Sequence, residues 1–572
     1  MEPPVAPGNA VVESFLRATC QATGVHCLEG LVPDQRTQKA VALVHDSVTV
    51  LRMPRRLLIL DVDALRDSFV RECLFPASTA AAAANSSSAN DNKSHASRTV
   101  AADAFLAAHL ARLQTNTTAA AAVDPILQQY VQHVLPRYSD FQFHPVVWFA
   151  DSDPQQQQQL LQLLPPHSSA AATVRALAHN IGREYRQFTA ACPEFSRQVS
   201  QQDYTAARLS VMTRSFGTGP LPTSELASAE LEYYQTTVGL NLSVGSHAMV
   251  PILDLYNHHA VPNVAFKYDG QAFLITAVNG GIVAGSQIMD SYGKHTDTHL
   301  FAKYGFVNGD GSDHTQASLA LYHQPELVDE SDNSSSVLHK QLLRYIQYDD
   351  GYEQCVTPTD KAAWAFKILK YQYLVRQVSN QPTSWTVMLA PRDPESRPAA
   401  FSNIPNTDQV PRFDKKRIQL VGQSNAVFST CRLLSLTHHD YNGTAVSILT
   451  EHLGSNATTP PLLPAAEDAL EFRTLMCMAR MSQIALTRMG VSTTDQEATV
   501  ARLNSDRSAF QSRNWTVAHV LLGELQTLEA VKGVAYSSLR AFSKEIQSGD
   551  AAYTFRDKPC PVASLQPLLQ HV

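Results

Sequence analysis

The chain has 572 residues, 44% hydrophobic and 17% charged, with a formal net charge of −7 at neutral pH. That length exceeds what one hydrophobic core serves, so two or three domains are expected. Without a basic excess, nonspecific nucleic-acid binding is not expected as the main activity, and no run approaches the roughly 18 apolar residues of a membrane span.

Met1-Glu2-Pro3-Pro4 lacks the basic start and apolar stretch of a signal peptide. The eight cysteines, Cys20, Cys27, Cys73, Cys192, Cys355, Cys431, Cys477 and Cys560, form no C-x-x-C pair. Neither a zinc cluster nor a disulfide framework is therefore expected, and the setting is a reducing one, cytoplasmic or nuclear.

In chain order, residues 40–60 hold β-branched, partly alternating segments that read as two short strands joined at His45-Asp46-Ser47. Val62 to Glu72 follows with helical spacing. From Pro76 to Arg98 the chain is Ala, Ser and Asn with almost no large apolar side chain, a flexible insertion rather than part of a core. Helices are expected at 103–114, 170–191 and 203–214, and the glutamine run at 155–159 reads as a polar helix start. Strand texture returns at 245–255 and 271–289, where Phe273, Ile275 and Val278 alternate roughly with polar neighbours. Farther on, apolar residues recur at three- and four-residue spacing in 361–377, 464–489 and 515–547, the pattern of a separate helical domain. A Pro-, Asn- and Ser-rich loop lies near 379–415.

The most informative feature is a set of short segments in fixed order. Pro251-Ile252-Leu253-Asp254-Leu255-Tyr256-Asn257-His258 puts an Asn-His after an apolar run. Ser291-Tyr292-Gly293 ends a later strand, and Tyr304-Gly305-Phe306 follows a helix. Each dipeptide alone recurs by chance; the order and spacing together are rare. They resemble the C-terminal half of a SET methyltransferase domain. The succession of strands, helical insertion, returning strands and helical tail is similar to the branch that holds the Rubisco large-subunit methyltransferase and the actin-histidine methyltransferase. Val134-Leu135-Pro136 with Pro145 and Trp148, Arg183-Glu184-Tyr185, Thr213-Arg214-Ser215-Phe216, and Glu467-Asp468 with Phe472-Arg473 resemble further motifs of that branch.

The resemblance implies an α+β fold, a β-rich SET core split by a helical insertion and followed by an all-α C-terminal domain. Its divisions would be 1–75 for the N-terminal segment and first half of the core, 76–203 for the insertion, 204–314 for the second half, and 315–572 for a helical domain like the one that binds Rubisco. It implies S-adenosyl-L-methionine as cofactor and a protein substrate gripped by the helical tail, in a monomer with no nucleic-acid or membrane partner. Tyr292 would be the catalytic tyrosine. Arg214 would hold the cofactor carboxylate, with Asp254, Asn257 and His258 lining its amino-acid and adenine ends. Tyr304 and Phe306 would flank the adenine, and the strand at Val48, Thr49 and Val50 would touch the cofactor through its backbone. Two departures from the family pattern stand out. Thr37-Gln38-Lys39-Ala40 replaces a Gly-x-Gly segment, and Val48 stands where an acidic residue is common.

The residue types suit the chemistry. A sulfonium methyl passes to nitrogen by in-line displacement, which needs an uncharged nucleophile in a dry, well-aimed channel. A lysine with a reference pKa of about 10.4 must lose its proton first, and an apolar channel beside a cation favours that loss. A tyrosine hydroxyl orients the amine without bringing a charge, and the permanently charged, planar guanidinium of Arg214 suits a carboxylate. Lysine and histidine both remain open as targets. So does a catalytically inactive SET scaffold that binds a protein partner. Other readings apply to single motifs. Asn257-His258 reads also as a polar strand end, and Asp254 as a turn cap. His295 and His299, with His258 and His259, suggest a metal site if 295–299 is helical, or else a solvated helix start.

Overall fold

The structure, a computed structural model, describes Phe15, 18–19, 43–44, 49–74, 102–150, 164–218, 247–259, 261–283, 286–293, 295–307, 315–320, 384–389, Cys431, 468–506, Ala509 and 512–547. The Gly-x-Gly counterpart at 37–40, Val48, the Ala/Ser segment at 76–98, the glutamine run at 155–159 and the helix expected at 361–377 lie outside these residues.

Apolar strands build the principal sheet. After β1 (Leu43–Val44), β2 (Thr49–Pro54) buries Val50, Leu51 and Met53 and leaves Arg52 in solvent. Val50 and Leu51 are both buried because the register shifts between Thr49 and Leu51, a bulge that turns consecutive side chains inward. A second sheet is laid down by β3 (Ile59–Leu60), β4 (Ser215–Gly217) and β5 (His247–Met249), with β5 in the middle. Next comes β6 (Asn257–His258), then the hairpin of β7 (Val264–Tyr268) and β8 (Ala272–Ala277), whose central strand β8 pairs antiparallel with both β2 and β7. The hairpin turns on Asp269, whose carboxylate accepts the N–H groups of Gln271 and Ala272, each at 2.8 Å, and on Gly270 at φ 91°. Phe216 of β4 packs edge-to-face on Phe266, with ring centres 5.0 Å apart. β9 (Ile282–Val283) pairs antiparallel with β1, and β10 (Met289–Asp290) pairs parallel with β6.

Helices interrupt these strands. α1 (Asp61–Arg66) follows β3, and α2 (Ala102–Thr115), α3 (Pro145–Ala150), α4 (Ser169–Ala191) and α5 (Gln201–Arg214) fall between β3 and β4. α5 begins with a capping box in which Ser200 and Asp203 satisfy each other's backbone N–H. It carries Arg208 into the interior, where the guanidinium meets Glu184 of α4 and Asp103 of α2, both at 2.9 Å. Burial disfavours the charge on Arg208, and the two carboxylates more than reverse that. Tyr204 donates to Glu184 at 3.0 Å, and Tyr185 donates to the Val199 carbonyl at 3.0 Å. The Glu-Tyr pair singled out in the sequence thus serves the packing of this helical layer.

His144 lies just before α3. Its Nε2 donates to the Lys303 carbonyl at 2.9 Å and its Nδ1 accepts the Val146 N–H at 3.2 Å, and burial pushes its pKa down to about 4. The imidazole is neutral here and ties α3 to the end of α6 (Asp297–Tyr304).

The chain divides into two compact units, Met1–Gln157 with Val174–His295 and Ala302–Gly305, and Gln158–Thr173 with Thr296–Phe301 and Phe306–Val572. In the second unit, β11 (Thr315–Ala320) pairs antiparallel with β12 (Ser384–Leu389), and the helices are α7 (Asp468–Met489), α8 (Thr493–Ser505) and α9 (Arg513–Gln547). Glu524 of α9 is buried and accepts the N–H groups of Ser169 and Ala170 at 2.8 and 2.7 Å. It occupies the electropositive first turn of α4. Burial pushes its pKa up to about 8, against those donors and the Thr298 hydroxyl.

A β-strand core interspersed with helices and followed by C-terminal helices is the expected class. Helices 103–114, 170–191, 203–214, 464–489 and 515–547 match α2, α4, α5, α7 and α9 closely. The differences are local. The C-terminal region adds the β11–β12 pair to its helices, and β12 falls inside the stretch read as a loop, where Trp385, Val387 and Leu389 alternate unnoticed among loop-like neighbours. α8 escaped notice because its buried residues are only Gln496 and Val500, too few for an apolar stripe; the Ser492 cap, accepting from Asp495 N–H at 3.1 Å, sets its start. Residues 250–255 are no strand, since Ile252 at φ 73° turns the chain into a 3-10 turn over Leu253–Leu255. Cys73 and Cys192 form a disulfide with Cα atoms 5.5 Å apart, contrary to the expectation of no framework. Their separation of 119 residues left no spacing signal. Among the described residues, no helix is long and apolar enough to cross a membrane.

Replacing Arg208 by Ala strands Asp103 and Glu184 and should cost about 3–5 kcal/mol, read as a lower urea midpoint. Adding Glu184→Gln to that variant should return part of the loss. The His144 contribution is present above the unfolded imidazole pKa of about 6.5 and is lost as pH falls through about 4. Urea midpoints measured between pH 7 and pH 4.5 should fall less steeply in His144→Gln than in the wild-type chain.

Candidate active site

The site is built where α5 gives way to β4. Arg214, the last residue of α5, reaches across the first unit to the 3-10 turn, and its guanidinium donates to the Asp254 carbonyl at 3.0 Å. It also lies 3.5 Å from Asp254 Oδ2. The same carboxylate oxygen accepts the hydroxyl of Tyr130 at 2.8 Å, while Asp254 Oδ1 is buried with no hydrogen-bond partner. Burial pushes the Asp254 carboxyl upward, opposed by Arg214 and by the Tyr130 hydroxyl. Tyr130, buried beside this charge, holds its proton well above the ordinary phenol range and acts as the donor.

The parallel pair β6–β10 carries the next residues. Its register sets Met289 opposite Asn257 and Asp290 opposite His258. Asn263 fixes the pair from one side, accepting Met289 N–H on Oδ1 at 2.7 Å and donating its own N–H to the Met289 carbonyl at 3.1 Å. The backbone N–H of Tyr292 donates to His258 Nδ1 at 3.0 Å, which makes Nδ1 an acceptor, and the two rings lie 5.2 Å apart. Burial first, then His295 and His259, pull the His258 pKa down, consistent with a neutral ring.

Tyr292 is the most constrained side chain here. Its hydroxyl donates to the Tyr256 carbonyl at 2.8 Å, its own carbonyl accepts His295 Nε2 at 2.8 Å, and its ring sits 4.8 Å from that of Tyr304. Burial pushes both phenols up to about 12, so both are protonated at neutral pH. Gly293 is required for this turn. It sits at φ 108°, and a Cβ there would meet His295 Nε2 at 3.1 Å.

Of the residues expected from sequence, the first unit groups Arg214 with Asp254 through a hydrogen bond and an ion pair, and His258 with Tyr292 and Tyr304 through a hydrogen bond and ring contacts; the charges of the first pair are near enough to act electrostatically on Tyr292. Asn257 is exposed, on the alternate face of β6 from His258. Thr49 is exposed and Val50 buried in β2. Phe306, half-buried, belongs to the second unit. His295 precedes α6, so the helical spacing that would set it above His299 does not exist. Among the described residues no group of three or more His, Cys, Asp or Glu is arranged to hold a metal.

Four contributors escaped the sequence. Tyr130 comes from the insertion with no local signal, and His295 reads in the sequence only as a metal ligand or a solvated helix start. Tyr256 and Asp290 were readable in principle, each lying two residues before an identified site residue and so on the same strand face.

No family model matches the chain, and no curated protein matches it by sequence. Solved structures do. The SET domain of LSMT bound to lysine and AdoHcy is 13% identical with a TM-score of 0.54, covering 100% of this chain and 99% of that one. Rubisco LSMT bound to sinefungin and monomethyllysine is 14% identical with a TM-score of 0.53, covering 99% and 100%. Rubisco LSMT bound to AdoMet is 12% identical with a TM-score of 0.52, again covering 99% and 100%. The order of strands around a helical insertion, the turn at Asp254 and the β6–β10 pair that leads into Tyr292 therefore belong to a chain with the fold of the SET-domain methyltransferases.

Proposed function

We propose that this protein is an S-adenosyl-L-methionine-dependent protein N-methyltransferase whose acceptor is a lysine side chain, with histidine as the second acceptor of the same chemistry. The observation that carries this reading is that the Arg214–Asp254 pair acts electrostatically on Tyr292, which is itself held against His258 and Tyr304. Together they offer a guanidinium, one buried acceptor oxygen without a partner, Asp254 Oδ1, and two protonated phenols. That donor and acceptor set fits a zwitterion with a positive sulfur. Arg214 suits a carboxylate, and Asp254 Oδ1, buried without a protein partner, suits an ammonium group. When bound, the cofactor supplies an electrophilic methyl group.

The chain's own residues do the rest. Tyr292, kept neutral by burial, orients the acceptor nitrogen without adding a charge, and Tyr304, neutral beside it, keeps the adenine-flanking role that the resemblance implies. The buried surroundings disfavour the ammonium form of a lysine, whose reference pKa is about 10.4. His258 and His295 fix the backbone on either side of Tyr292 and so aim its hydroxyl. The helical C-terminal region is the part we assign to holding the protein substrate, as the resemblance implies, and Asn257, Thr49, Val50 and Phe306 keep their proposed cofactor roles from the same source.

Purified full-length protein should bind S-adenosyl-L-methionine in calorimetric titration and transfer label from it to proteins of a cell extract. Tyr292→Phe should cut transfer by about 100-fold while cofactor affinity stays within about twofold. A chain that binds no cofactor sinks the enzyme reading and favours the scaffold. Full transfer by Tyr292→Phe removes that tyrosine from the chemistry.

A further inference from the structure

Strand geometry places four side chains together. Tyr256 is extended at φ −74° and ψ 137°, His258 follows it in β6, and Asp290 pairs with His258 across to β10. Alternation then sets Tyr256, His258, Asp290 and Tyr292 on one face of the pair. His258 and Tyr292 bear this out by bonding and stacking on each other.

The other two end in atoms that the protein leaves unmet. Tyr256 is 7% exposed and Asp290 2% exposed, and Tyr256 Oη and Asp290 Oδ2 are buried without a hydrogen-bond partner. The Ser291 backbone N–H serves the Asp290 carboxylate, so one oxygen is left to receive a donor. The carboxylate is near enough to act electrostatically on Tyr256, Tyr292 and Tyr304. Burying a carboxylate oxygen and a phenol hydroxyl without partners is costly, and such groups are kept where a ligand satisfies them. An acid oxygen accepts from an N–H-bearing group and repels a carboxylate, and a phenol oxygen can accept from the same N–H-bearing group.

We infer that Asp290 and Tyr256 form the recognition end of the acceptor pocket, with Asp290 Oδ2 accepting a hydrogen bond from the side-chain nitrogen that is to be methylated and Tyr256 Oη contacting the same nitrogen. This rests on the methyltransferase reading and deepens it. It assigns the choice of a nitrogen acceptor to two residues that the motif reading left without a role. Asp290 makes and breaks no covalent bond in this role. Asp254 Oδ1, beside Arg214, is left to the cofactor, which separates the two buried acids by task.

The test titrates L-lysine and L-histidine into the full chain saturated with S-adenosylhomocysteine. The wild-type protein should bind one of the two amino acids. Asp290→Asn, nearly isosteric, should weaken that binding by about tenfold or more, and Tyr256→Phe should weaken it by a smaller factor. S-adenosylhomocysteine affinity should stay within about twofold in both variants, since the contacts assigned to it lie elsewhere. Unchanged amino-acid binding in Asp290→Asn overturns the inference. So does a parallel loss of S-adenosylhomocysteine affinity, which would move Asp290 to the cofactor, and so does a wild-type complex that takes up neither amino acid. Failure of the wild-type chain to bind S-adenosylhomocysteine is a different result and removes the methyltransferase reading beneath it.

Discussion

The carboxylate of Asp254 is the constraint around which the site is organised. Its side chain has no exposed surface, and it is held by Tyr130 from 124 residues earlier and by Arg214 from 40 residues earlier. A buried carboxylate is tolerated only where donors and a countercharge meet it, so the insertion that carries Tyr130 and the helix that ends in Arg214 must both be in place. The turn at Leu253–Leu255 is thereby fixed, and with it the direction in which Tyr256 and His258 leave it. Through the β6–β10 register this fixes Asp290 and Tyr292 as well. One buried charge couples three stretches of sequence that share no local pattern.

The rest of the site is electrically quiet by the same means. Burial keeps the phenols of Tyr292 and Tyr304 protonated and pulls down the pKa values of His258 and His295. Asp290 is intermediate, pushed up to about 6 by burial against the Ser291 N–H. A positively charged group bound here would therefore meet neutral rings and buried acid oxygens rather than competing cations, Arg214 excepted. In a water-poor site such fixed dipoles act strongly on a developing charge.

Much of this was legible in the residues. The fold class was what the resemblance to the SET family implied, and helical periodicity placed α2, α4, α5, α7 and α9. The interest in Arg214, Asp254, His258, Tyr292 and Tyr304 came from the same resemblance, carried by motif order and spacing. What escaped had physical reasons. Tyr130 acts over a sequence distance that no window covers. α8 is held by a cap and by packing rather than by an apolar stripe. The run 250–255 is apolar but for Asp254, much as a buried strand would be, and the positive φ of Ile252 makes it a turn around that buried acid. The Cys73–Cys192 bridge joins residues that scattered spacing gave no reason to pair.

The parallel pairing of β6 with β10 is only two residues long on each side. Parallel strands need a connection that crosses over, and here the β7–β8 hairpin supplies it. Side chains alternate with a period of two, so a slip of a single position would turn Tyr292 and Asp290 outward and bring Ser291 and Met289 in. Natural variation in the length of the hairpin is therefore free only so far as Asn263, clamped on both backbone groups of Met289, keeps count of the parity between the two strands.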